Sequence, residues 1–178
     1  MSLLRFLGLG GEEKEGKGSS ERGNETATVR KIASRLERLD PETAKYLAGF
    51  AYVLARVAHA DLSIDSDETS EMERIVSQIS DLAPEETSLV VEIAKSQARL
   101  LGGTENYVVT RQFRQISTRE QRVKLLECLY AVAAADGSIT GPESNEIVAI
   151  AEELGFTRPE AIALRSAYRE KLSEFQSR

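Results

Sequence analysis

The chain has 178 residues, 41% hydrophobic and 29% charged, with a formal net charge of −6. That length suffices for one domain with a sizeable core, while the negative balance argues against nucleic acid, whose phosphates call for clustered Lys and Arg. One cysteine excludes an intramolecular disulfide, no apolar run reaches the ~20 residues of a membrane-spanning helix, and no secretory leader is visible, so a cytoplasmic protein is expected.

Residues 1–9, MSLLRFLGL, are apolar on nearly every side, with Arg5 the only charge. Two readings stand for this tip: a docking peptide for a partner groove or a membrane surface, or a segment that packs on its own domain or on nothing. A lone arginine gives little electrostatic attraction to anionic lipid, so any membrane association would be peripheral. Residues 10–27 mix Gly, Ser, Glu and Lys. Such a composition buries too little apolar area to offset chain entropy and predicts a flexible linker.

From residue 28 to about 175 the signals are helical. Ile32, Ala33, Leu36 and Leu39 recur at three- and four-residue steps. Asp40-Pro41 restarts the chain as N-cap and first helical position. Leu47, Phe50, Ala51, Leu54 and Ala58 carry the next helix to about Ala60. Further helices are predicted from Asp67, from Pro84 to a stop at Gly102-Gly103, and around Tyr107 to Ile116. Thr118-x-x-Gln121 and Thr157-x-x-Glu160 read as capping boxes for two more. No period-two β-branched run appears. The expected fold is all-α, a single-domain bundle of about seven helices built on two repeated helix–loop–helix hairpins.

The repeat appears on shifting the sequence by 75 positions (136 − 61 = 75). Leu54 then falls on Leu129, Val57 on Val132, Ala58 on Ala133, Asp61 on Asp136, Ile64 on Ile139, Glu68 on Glu143 and Ile75 on Ile150. These positions span a helix end, a tight loop and a helix start, the grammar of a hairpin used twice. The isoleucine three residues after each Asp is the large apolar residue that both loops share, placed to plug the hairpin.

The paired stretches "ADLSI…E" (residues 60–68) and "ADGSI…E" (residues 135–143) resemble the two A-D-G-x-I-x-x-x-E signatures of the tellurite-resistance TerB family. They are also similar to the related domain of the DjlA membrane co-chaperone. The resemblance spans about Thr43 to Leu172. It implies a compact helical domain with an acidic cluster suspected of binding divalent cations. It also implies a bacterial stress-response role as a binding or scaffold component near the membrane, and no enzyme. Leu62 stands where the second signature has Gly137, so the first loop departs from the pattern. The J-domain tripeptide HPD is absent; His59-Ala60-Asp61 does not replace it.

The carboxylates admit two readings. Asp65-x-x-Glu68 and Thr140-x-x-Glu143 fit capping boxes, with Asp61 and Asp136 satisfying loop amides. Yet residues 61–86 hold nine acids against Arg74, a net −8, and residues 136–160 hold six against Arg158, a net −5. If the hairpins face each other, Asp61, Asp65, Glu68, Asp136 and Glu143 become candidate metal ligands. All-oxygen donors suit Ca²⁺ or Mg²⁺. Neither loop is an EF-hand, since the twelfth positions are Met72 and Ile147.

No catalytic constellation emerges. His59 is the only histidine, Cys128 sits among leucines as a core residue, and "GLGGEE" lacks the Lys-Ser/Thr of a P-loop. Arg111, Arg114, Arg119, Arg122 and Lys124 form a basic stretch, either a solvated face or a contact for acidic groups. The leading expectation is a non-enzymatic module that binds a protein partner through its acidic face, with a divalent cation as a candidate ligand. A metal-dependent hydrolase using clustered carboxylates and a purely structural bundle are the alternatives.

Overall fold

The computed structural model describes residues 21–58, 66–98 and 106–172. The tip, most of the linker, and Asp61 and Asp65 lie outside the described residues. Eight α-helices are present among the described residues, close to the expected tally: α1 (Glu21–Glu37), α2 (Pro41–Ala58), α3 (Ser66–Ile79), α4 (Pro84–Ala98), α5 (Asn106–Ile116), α6 (Arg119–Ala133), α7 (Gly141–Glu153) and α8 (Arg158–Ser166). A 3₁₀ turn, Arg169–Lys171, follows. The fold is all-α. The only β pairing among the described residues is a single bridge between Ile139 and Leu172. Helix α1 starts at Glu21, seven residues before the apolar periodicity begins at position 28.

The core forms around α2. Every residue from Leu47 through Ala55 is buried, as expected of a helix apolar on all sides. It packs most extensively on α4 and α5, and also on α1, α6 and α7. Asp40 starts it: Oδ1 accepts from the Glu42 and Thr43 amides at 3.1 Å each, and the Thr43 hydroxyl donates to the same carboxylate. The Thr43 donors hold the exposed Asp40 carboxyl below its ordinary range. Gly49 lets α5 approach closely, since a Cβ there would lie 2.7 Å from the Phe113 ring. Phe113 in turn stacks on Tyr46 (centroids 5.4 Å apart) and meets Phe50 edge-on.

The local signals were well placed. Thr118, Thr140 and Thr157 each accept from the amide three residues on, and Gln121, Glu143 and Glu160 each reach back to the cap amide. Ile139 is 1% exposed, the plug expected of it. The last helix, which the apolar spacing of Ile162, Leu164, Ala167, Tyr168 and Leu172 predicts to run on to Leu172, is shorter than that. It stops at Ser166, Leu172 is buried beyond it through the bridge to Ile139, and Ile162 is left exposed. A nine-residue helix has room to bury only a narrow face, here Ala161 with part of Leu164.

Burial also sets an alkaline limit. It pushes the Cys128 thiol from 9.0 up to about 12, and the Tyr46 and Tyr130 phenols from 10.0 up to about 12. The folded state retains protons that the unfolded chain releases. Stability is therefore whole below pH 9 and falls as pH rises toward 12. Each such group steepens the fall by up to about 1.4 kcal/mol per pH unit. The expected result is a melting temperature that drops steadily above pH 9; a flat profile between pH 9 and 11 would contradict it.

Candidate functional site

The ends of α2 and α6, one face of α3 and the first turn of α7 border a cleft of about 320 Å³. The end of α2 gives Val57 and Ala58; α3 gives Asp67, Glu68, Glu71, Met72 and Ile75. The end of α6 and the loop after it give Val132, Ala133, Ala135 and Asp136, and α7 gives Glu143. Val57 and Val132, Ala58 and Ala133, and Glu68 and Glu143 are each 75 positions apart (132 − 57, 133 − 58, 143 − 68). Repeat-related positions thus line opposite sides of one cleft. The second hairpin is seen whole as α6–loop–α7, while the loop of the first, residues 59–65, lies outside the described residues.

The floor is apolar. Val57, Met72, Ile75 and Ala133 are nearly buried, packed as the inner faces of α2, α3 and α6. The rim is acidic: Asp67, Glu68 and Asp136 are exposed, and Glu71 and Glu143 are half-buried. No Lys or Arg stands among the described lining residues. Of the five candidate ligands, Glu68, Asp136 and Glu143 line this cleft. Asp61 and Asp65 lie outside the described residues.

Local amides already engage part of the rim. Asp136 Oδ1 accepts from the Ser138 amide at 3.1 Å across a turn that Gly137 makes at φ +106°, a left-handed value. Glu143 Oε2 accepts from the Thr140 amide at 2.8 Å and from its hydroxyl at 2.7 Å. These two carboxylates meet no basic side chain among the described residues. Among the described residues no three His, Cys, Asp or Glu side chains come close enough together to hold a metal ion.

Most of the other acids counted in the sequence are spent on the fold. Glu146 and Glu153 turn inward to Arg56, whose side chain is 5% exposed, at 2.6 Å each. Arg56 also donates to the Thr110 hydroxyl at 2.9 Å. Burial works to lower the Arg56 pKa, but the hydrogen bonds and charges of Glu153 and Glu146 outweigh it and the net shift is upward. Glu152 pairs with Arg158 at 3.6 Å, and Glu160 pairs with Arg119. Asp81 pairs with Lys124. Arg56 corresponds to Ala131 in the other repeat (131 − 56 = 75). With no inward cation on that side, Glu71 stays at the cleft, bonded to Arg74 at its own helix surface.

Most of the basic stretch is engaged within the fold, Arg111 on its own helix and Arg119, Arg122 and Lys124 across elements. Arg111 stacks on Tyr107, Arg119 covers Phe156, and Arg122 donates to the Leu154 carbonyl at 2.7 Å at the end of α7. Asp67 and Glu71 are the cleft residues that sequence reasoning did not single out. Their signal was helical spacing: positions 67, 68, 71, 72 and 75 share one face of α3.

Comparison with known families draws a boundary around these elements. The model of the family described as tellurite resistance protein TerB matches residues 47–166, which include all twelve described cleft residues. Comparisons with curated proteins and with solved structures returned no match.

Proposed function

The chain belongs to the TerB family, and from that premise we propose that it is a non-enzymatic stress-response binding module that takes a cationic segment of a partner protein into its cleft. The observation that carries this reading is the cleft itself. An apolar floor can receive aliphatic or aromatic side chains, while the rim carries five carboxylates that attract Arg or Lys, Glu71 being already paired with Arg74 and Asp136 and Glu143 meeting no basic side chain among the described residues. The described lining offers no Ser, Cys, His or Lys side chain to serve as nucleophile. Among the described residues no helix is long and apolar enough to cross a membrane.

A synthetic peptide of alternating Leu and Arg is the probe, titrated calorimetrically into the full chain. Binding is expected to weaken with salt. It should fall roughly tenfold in the double variant Glu68→Lys/Glu143→Lys, because two rim pairs of about 0.7 kcal/mol each sum to ~1.4 kcal/mol. Equal binding by the variant would remove the cleft from the proposal.

The Asp136 and Glu143 carboxylates, which meet no basic side chain among the described residues, support a second reading, a Ca²⁺ or Mg²⁺ ion held at the rim, with Glu68, Asp61 and Asp65 as its further candidate ligands from the sequence. At a free cation concentration 100 times Kd, linkage would add about 2.7 kcal/mol of stability. Millimolar Ca²⁺ or Mg²⁺ should then raise the melting temperature of the wild type and leave Asp136→Ala unmoved. An identical response from both proteins counts against this ion.

A further inference from the structure

We infer that the cleft also receives residues 1–9 of its own chain, so that the apolar tip competes with the partner for the same floor and rim. This rests on the reading of the cleft as a docking site. Three observations point to this occupant. The first is chemical match. Leu3, Leu4, Phe6 and Leu7 surround one positive charge, Arg5; the cleft offers an apolar floor inside a ring of five carboxylates. A guanidinium on that rim makes charge-assisted hydrogen bonds while its neighbours leave water.

The second is size. At about 320 Å³ the cleft sits at the lower limit of the roughly 300–1,000 Å³ of small-ligand pockets. That suits a few side chains of an extended peptide better than the surface of a folded domain. The third is reach. Residues 10–20 join the tip to α1, which begins at Glu21. Eleven residues span up to about 36–40 Å when extended. Helix α2, with 18 residues at 1.5 Å rise, is about 27 Å long, so the tip can reach either end of the bundle. With an r.m.s. span near 18 Å for such a Gly-rich link, the effective concentration of the tip is in the millimolar range. A contact with a Kd well below a millimolar is then largely formed, and a partner must displace it.

The test uses the full-length protein with a nitroxide on Ser2→Cys, observed by amide NMR. Cys128 is buried and its thiol is pushed up to about 12, so it stays unlabelled. The expected result is paramagnetic broadening that is strongest at the amides around the cleft, Met72, Ile75 and Val132, and fades with distance from it, unchanged on dilution and lost as a localised maximum in Phe6→Asp. The Leu/Arg peptide should then bind Phe6→Asp severalfold more tightly than the wild type. Absent broadening, or broadening at helices away from the cleft, overturns the inference. So does broadening that appears only on unlabelled chains mixed with labelled ones, which would make a second copy the occupant. Peptide binding without broadening leaves the partner reading standing and removes the tip. Broadening at the cleft with no peptide binding, even in Phe6→Asp, upholds the tip and removes the partner reading.

Discussion

Arg56→Ala is expected to lower the unfolding free energy by roughly 3 kcal/mol, near the low end of the 3–5 kcal/mol for breaking a buried ion pair. The low end applies because the Glu146 and Glu153 side chains keep 40% and 17% of their exposure, so water recovers part of the lost attraction. For a chain of this size that is a fall of about 6–12 °C in melting temperature. The loss arises at a junction of three helices. Arg56 on α2 joins Glu146 and Glu153 on α7 to Thr110 on α5, and α6 leads into α7 through the acidic loop. Arg56→Lys should recover only part of the loss. An ammonium has no planar fork with which to serve both carboxylates and the hydroxyl together. Denaturant unfolding measures both variants. A loss below about 1 kcal/mol for Arg56→Ala would mean that the cluster behaves as an ordinary surface network.

Phe113→Ala is expected to cost about 3–5 kcal/mol, the range for deleting a fully buried aromatic ring. Its partner across the helix interface makes a sharper prediction. Gly49→Ala puts a Cβ at 2.7 Å from Cδ2 of Phe113. The ring is held by Tyr46 and Phe50 and has little room to retreat. Overpacking of about 1–3 kcal/mol exceeds the ~1 kcal/mol of helix propensity gained, so the single substitution is destabilising. In the Phe113→Ala background the same methyl enters the vacated space and the propensity gain remains, so Gly49→Ala becomes stabilising. A double-mutant cycle reads the reversal as a coupling of about 2 kcal/mol, within the range for residues in contact. Additive effects would show that the two helices slide apart freely.

These predictions come from contacts that differ in how far they were readable beforehand. The capping boxes at Thr118, Thr140 and Thr157 were legible because donor and acceptor stand three residues apart. So was the position of α2, whose continuous apolar run allows only a central helix. The paired signatures were legible as a family resemblance, and the family match over residues 47–166 agrees with it. Charge was read less well. Counting acids along the chain grouped Glu143 with Glu146, Glu153 and Glu160. The folded chain keeps Glu143 at the cleft, turns Glu146 and Glu153 toward Arg56, and pairs Glu160 with Arg119.

The sequence by itself determined the all-α class, the capped helix starts at Thr118, Thr140 and Thr157 and the acidic bend at Asp136, because each depends on residues within one or two turns of one another. Only the tertiary structure decided which carboxylates remain at a shared cleft and which are neutralised. Arg56 finds its partners 90 and 97 positions away, and a charge so distant leaves no periodicity to read. The physical reason is desolvation. Once packing on α5 and α7 draws the guanidinium out of water, it must take the nearest carboxylates with it, and the acids left outside define the candidate site.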